Sequence, residues 1–191
     1  MKRLLAAIVL ILAATGCSAQ TQAPAAQPST STASATPTAA APIVLKPGAF
    51  TFENAAGTKG ALQIPGKPDA EIEKLRALAP GAPKVTYLTV HVDNRVGTVA
   101  ANMYGVSIFT PAGEELKYTN ADAYIDSIRP SGASADVYNQ FIAAGNAHME
   151  SAKPKAVKDF VLIGPPVPTE MASITVYPTG MSNPVEAAPA S

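Results

Sequence analysis

The clearest pattern along the chain is alternation. The run Val85-Thr86-Tyr87-Leu88-Thr89-Val90-His91-Val92-Asp93 places Leu88, Val90 and Val92 on one face and Tyr87, Thr89, His91 and Asp93 on the other, the period of a half-buried strand. Asn94-Arg95-Val96-Gly97 reads as the turn that ends it. Residues 104–109 form another strand, and Thr110-Pro-Ala-Gly113 turns the chain into 115–119, so these two make a hairpin. Residues 157–163 and 174–177 are rich in β-branched and aromatic side chains, with Gly164-Pro165-Pro166-Val167-Pro168 breaking the chain between them. Two shorter strands are expected at 49–53 and 61–64. Short strands separated by Gly/Pro turns, with no βαβ alternation, predict an all-β sandwich.

Two stretches follow a helical period instead. Residues 68–79 carry Pro68 in the first turn, Asp69, Glu71 and Glu73 near the start, Lys74 and Arg76 later, and apolar Ile72, Leu75 and Leu78; Pro80-Gly81 stops them. A second helix is expected from Ser134 to Ala144, with Ser134 as its cap, Val137, Phe141 and Ala144 on one face, and Gly145 as its end. Both are read as peripheral helices closing an end or edge of the sandwich.

The chain outside this domain has a different character. Met1-Lys2-Arg3 followed by the uncharged run Leu4–Ala14 and the small residues Thr15, Gly16 and Cys17 is the form of an export signal. As a helix the apolar run would span roughly 16 Å, about half of a bilayer's ~30 Å hydrocarbon core, so it is too short for a permanent span. Ala13-Ala14-Thr15-Gly16-Cys17 resembles the bacterial lipobox, which predicts cleavage after residue 16 and lipidation of Cys17; cleavage after a small residue such as Ala19, with Cys17 discarded, is the alternative. Residues 18–42 contain only Ala, Thr, Ser, Gln and Pro, too little apolar surface to order a chain, and are read as a disordered tether. Its reach as a flexible coil is roughly 25–30 Å. The domain is therefore expected over 43–178, and the small residues of 179–191 are read as a frayed tail.

Composition narrows the function. Of 191 residues, 14 are Lys or Arg and 14 are Asp or Glu, which excludes the basic stripe of a nucleic-acid binder. Loss of residues 1–16 leaves 12 basic against 14 acidic residues, a formal charge of −2. The 47% hydrophobic fraction is inflated by 37 alanines, so the core is smaller than that figure suggests. A single cysteine cannot form an intramolecular disulfide or a thiolate metal cluster, and an anchor is the role that fits its position.

Candidate chemistry is sparse. His91 and Asp93 share the polar face of the long strand with Tyr87 and Thr89, and an aromatic beside polar groups makes that row the candidate binding face; burial of the same row by a second sheet is the alternative. His148-Met149 pairs imidazole with thioether, a soft set that suits copper(I), although no ligand spacing repeats. Gly132-Ala-Ser134-Ala-Asp136 lacks the closing glycine and preceding strand of a nucleophile elbow. Gly66-Lys67 is followed by Pro68, so there is no phosphate loop. Asp122 and Asp126 are four apart and share a helix face, but without an apolar pocket to separate their pKa values. Asp93-Asn94 lacks the spaced acidic loop of a calcium site. The inventory makes no enzyme and implies no cofactor.

Thr86–Asn94 as a long strand ending in Asn, Ser107–Tyr118 as a strand, turn and strand ending in Tyr, and Lys153–Pro165 as a late strand opened by proline together resemble the telokin-like, immunoglobulin-like β-sandwich lipoproteins of bacteria. The resemblance spans Lys84–Pro178. It departs at Lys155, where glycine usually follows the late proline. What it implies is an immunoglobulin-like antiparallel β-sandwich with one or two short helices in a secreted, lipid-anchored protein, and it brings no catalytic residues. The expected function is a binding module held on the extracytoplasmic face of a membrane, the outer one in a Gram-negative cell, that engages an envelope protein or cell-wall polymer. The alternative is an envelope copper protein using His148 and Met149.

Overall fold

The computed structural model describes residues 44–180 and 183–191, so the export signal, Cys17, the tether, Ile43 and Met181 lie outside the described residues. Seven main strands form where alternation predicts them: β1 (Gly48–Glu53), β2 (Lys59–Ile64), β3 (Thr86–Asp93), β4 (Gly105–Phe109), β5 (Glu115–Asn120), β6 (Val157–Gly164) and β7 (Ser173–Tyr177). Three helices intervene, α1 (Ala70–Ala77) between β2 and β3, and α2 (Ala121–Ser127) with α3 (Ala135–Met149) between β5 and β6. Two dipeptide strands follow, β8 (Val185–Glu186) and β9 (Ala188–Pro189).

All strands pair antiparallel in one sheet of order β8-β7-β4-β5-β6-β3-β2-β1-β9. Its two ends, β8 and β9, are separated along the chain by Ala187 alone, so the C-terminal segment joins β7 to β1 and closes the sheet on itself. The all-β class is as expected, but the strands are not divided between two separate sheets. A trace of two layers survives in the pairing. β1-β2-β3-β6 and β5-β4-β7 are joined through only two residue pairs between β5 and β6 on one side, and through β8 and β9 on the other. This order differs from that of an immunoglobulin domain, where strands A-B-E-D face C-F-G.

The enclosed core follows from the alternation. Phe50, Leu62, Leu88, Val90, Phe160 and Leu162 meet Val106, Ile108, Tyr118, Ile174 and Val176, all at most 2% exposed. Each fully buried large apolar side chain contributes about 1.5–3 kcal/mol. A second core lies on the outer surface of β3 and β6, where Ile72 and Leu75 of α1, Ile125 of α2, and Phe141 and Ala144 of α3 cover Tyr87 and Ile163.

The helices differ from their expected limits for identifiable reasons. In α1, Asp69 is the cap, accepting from the backbone N–H groups of Glu71 and Ile72 at 3.0 Å, so Pro68 lies before the helix. The third helix, α2, follows β5 directly and is fixed by burial of Ala121 and Ile125. In α3, Ser134 is the cap, but the helix continues through Gly145 to Met149. The tail expected to fray is instead paired. Ala187 is buried, and its N–H donates to the Ile174 carbonyl at 2.9 Å.

Candidate functional site

The outer row of β3 divides at Thr89. Tyr87, expected on the exposed binding face, is buried beneath the helices, because α1, α2 and α3 cover that half of the strand. Its hydroxyl donates to Glu73 Oε1 at 2.6 Å, and Arg76 reaches both oxygens of the same carboxylate at 2.8 Å. Burial, followed by the bond to Glu73, pushes the Tyr87 phenol up, while the Tyr87 hydroxyl and then Arg76 hold Glu73 below the usual carboxylate range. Tyr87 therefore ties α1 to the sheet and does not belong to an exposed face.

The other half of the row is open. Sheet register aligns Thr51, Ala61, His91 and Asp159 across β1, β2, β3 and β6. His91 Nδ1 lies 2.6 Å from Asp159 Oδ1, and both side chains are more than half exposed. With Nδ1–H donating to the carboxylate, Asp159 fixes the orientation of the ring. The next row aligns Glu53, Lys59 and Asp93. Lys59 Nζ pairs with Glu53 at 3.3 Å, and the Arg95 guanidinium grips both Asp93 oxygens at 2.6–3.1 Å. Those bonds from Arg95 hold the Asp93 carboxyl down to about 2.

Small residues leave room above this surface. Thr51, Ala61 and Ala188 form the low part of an open groove of about 490 Å³, with His91, Asp93 and Glu186 around it. The strand alternation pointed to His91 and Asp93, but Asp159 and Glu186 carried no sequence signal. Asp159 meets His91 only through β3–β6 register, and Glu186 arrives on the strand that closes the sheet.

The other candidates are not brought together. His148 is half-buried with Nε2 shielded and unpartnered, whereas Met149 is exposed; Met103 and Met171 are fully buried in the enclosed core. Among the described residues, no group of three His, Cys, Asp or Glu side chains surrounds a common metal position. Asp126 pairs with Arg129 at 2.9 Å rather than with Asp122. Ser134 caps α3, and Asp93 is occupied by Arg95. Asn94 turns inward and is fully buried.

Comparison of the chain with family models, curated proteins and solved structures gives no match.

Proposed function

We propose that the protein is a lipid-anchored extracytoplasmic binding module, held to a bacterial envelope membrane through Cys17 and the 18–42 tether, and that it engages another envelope component through the groove beside His91. Export and anchoring rest on the N-terminal sequence. The kinship with telokin-like lipoproteins rests on segments 86–94, 107–118 and 153–165.

The observation that carries the binding reading is the groove's electrostatics. Its charged groups are largely paired in advance: Lys59 with Glu53, Arg95 with Asp93, and His91 with Asp159. Such a surface offers oriented donors and acceptors together with a surplus of acid, since Lys59 and Arg95 stand against Glu53, Asp93, Asp159 and Glu186. It suits a polar partner surface rich in hydrogen-bond donors, such as the hydroxyls of a glycan strand or the polar rim of a protein. Among the described residues no helix is long and apolar enough to cross a membrane. Several acyl chains on one residue anchor stably where a single chain does not, because each buried CH₂ adds ~0.8 kcal/mol.

Co-sedimentation of the purified mature protein with isolated cell envelopes tests the reading. A His91→Ala/Asp93→Ala variant is expected to lose at least fivefold in retention, with its fold checked by circular dichroism. Unchanged retention of a folded variant would overturn it. Detergent partitioning tests the anchor: the mature protein is expected in the detergent phase and a Cys17→Ala variant in the aqueous phase.

A further inference from the structure

A second surface, on the helices and remote in the sheet order from β1, is defined by a glycine. Gly145 lies inside the fifteen-residue α3, where glycine costs stability relative to alanine because it loses more backbone freedom on folding. No close approach explains it, since a Cβ built there meets nothing within 4 Å. What the missing side chain leaves is a notch in a groove of about 280 Å³ between α2 and α3.

Phe141, Ile142 and Met149 line the notch together with the paired charges of Asp126 and Arg129, and the Arg129 guanidinium lies over the Tyr138 ring. Tyr138, Ile142, Gly145 and Met149 fall at successive spacings of four, three and four residues, one stripe of a helix. Tyr138, Ile142 and Met149 are 46, 37 and 51% exposed, unusual for large apolar side chains gathered on one stripe. At Asp122, Ala123 and Met149 the groove meets a second one of about 340 Å³, which runs to Asn120 and to Tyr104 beside β4.

The polar groups at this junction specify the charge of an occupant. Asp126 is paired with Arg129, and Glu150 with Lys158. Among the described residues, Asp122 has no cationic partner. Asn120 Oδ1 is a shielded acceptor without a donor, its Nδ2 being held by the His148 carbonyl at 2.8 Å. A carboxylate without a counter-cation matches a primary ammonium, a compact charge carrying three donors.

We infer that the α2–α3 groove is a docking site for a partner polypeptide segment bearing a large apolar side chain and a nearby lysine, the apolar group entering the notch at Gly145 and the ammonium meeting Asp122. This surface is separate from the groove beside His91 and does not depend on the role assigned there.

Titration of the full mature chain with three synthetic peptides tests it: acetyl-Ala-Phe-Ala-Ala-Lys-Ala-amide, its Lys→Glu form and its Phe→Ala form. At low salt the lysine peptide is expected to bind at least tenfold more tightly than either control. Asp122→Asn is expected to remove at least threefold of the Lys/Glu discrimination, and Gly145→Leu to abolish binding of all three peptides. Because a side chain at 145 meets open space, Gly145→Leu is also expected to raise the melting temperature, which separates a filled groove from a broken fold. Equal binding of the lysine and glutamate peptides, no binding of the lysine peptide at millimolar concentration, or undiminished binding to Gly145→Leu would overturn the inference.

Discussion

Asn94, at the end of β3, gathers three separate parts of the chain. Its Oδ1 accepts from the Thr58 hydroxyl at 2.8 Å, and its Nδ2 donates to the Val99 and Ala152 carbonyls, both at 2.8 Å. Its backbone N–H donates to Ala156, and its carbonyl accepts from Gly97 and Lys155. Gly97 is required here by close approach, because a Cβ would collide with Asn94 Oδ1. Leaving such partners buried and unpaired costs about 1–3 kcal/mol each. Asn94→Ala is therefore expected to destabilise the domain by about 2–4 kcal/mol, read as a lower urea midpoint with unchanged slope. A loss under about 0.5 kcal/mol would mean that water replaces the side chain. Lys155, bonded to the same carbonyl, makes the opposite prediction. It holds φ +70°, the left-handed region that costs a side chain about 1–2 kcal/mol. Glycine removes that strain but adds unfolded-state freedom, so Lys155→Gly is expected to stabilise by about 0.5–1 kcal/mol. The side chain at this residue is thus a local cost in backbone conformation, and a midpoint that falls in the variant would refute that account.

At the scale of elements, the Tyr87–Glu73–Arg76 cluster decides how α1 sits on β3. Glu73 has a lowered pKa in the folded protein, so it contributes stability above its unfolded value, and that contribution is lost as pH falls through the folded value. Tyr87→Phe removes the largest cause of the lowering. The variant is expected to be about 1 kcal/mol less stable than the parent near pH 7, with the gap narrowing below roughly pH 4 as Glu73 protonates. Urea midpoints across pH test this, and a gap independent of pH would assign the loss to packing instead. The same cluster shows where sequence reading stops. Alternation located every main strand because their inward positions are aliphatic or aromatic, as in Leu88-x-Val90-x-Val92. Outward positions carry no label for what lies above them, so Tyr87 and His91 look equivalent although helices cover only the first. Gly145 reads as a helix end on propensity, yet packing of Phe141 and Ala144 holds the turn before it, and Lys158 Nζ and Asn120 Nδ2 donate to the Ala147 and His148 carbonyls after it. Asp159 was unreadable as the partner of His91 because their pairing is set by register between strands 68 residues apart.

For the whole molecule the decisive segment is the one whose composition says least. Val185–Ala190 is small, carries one charge at Glu186, follows Pro184 and contains Pro189, and its role depends on main-chain bonds that composition does not encode. Thr175 and Val176 pair with Glu186 and Val185 on one side, and Phe50 and Thr51 with Pro189 and Ala188 on the other. The Ala187 and Ala190 N–H groups donate to Ile174 and Ala49 at 2.9 Å. Without this strap, β7 and β1 become free sheet edges, and the remaining link across that side is the Leu45–Met171 bridge. Open edges bind other strands. Deletion of residues 184–191 is expected to lower stability by about 3–5 kcal/mol, from several net hydrogen bonds of ~1 kcal/mol each and exposure of the core beneath Ala187. It is also expected to make the protein self-associate as its concentration rises, read by sedimentation velocity. A synthetic peptide of residues 183–191 supplied in excess would restore the parent's sedimentation by reoccupying the gap. A truncated chain that stays monomeric and keeps its parent midpoint would show that the sheet closes without the strap, in which case Glu186 and Ala188 would sit on the His91 groove without structural obligation.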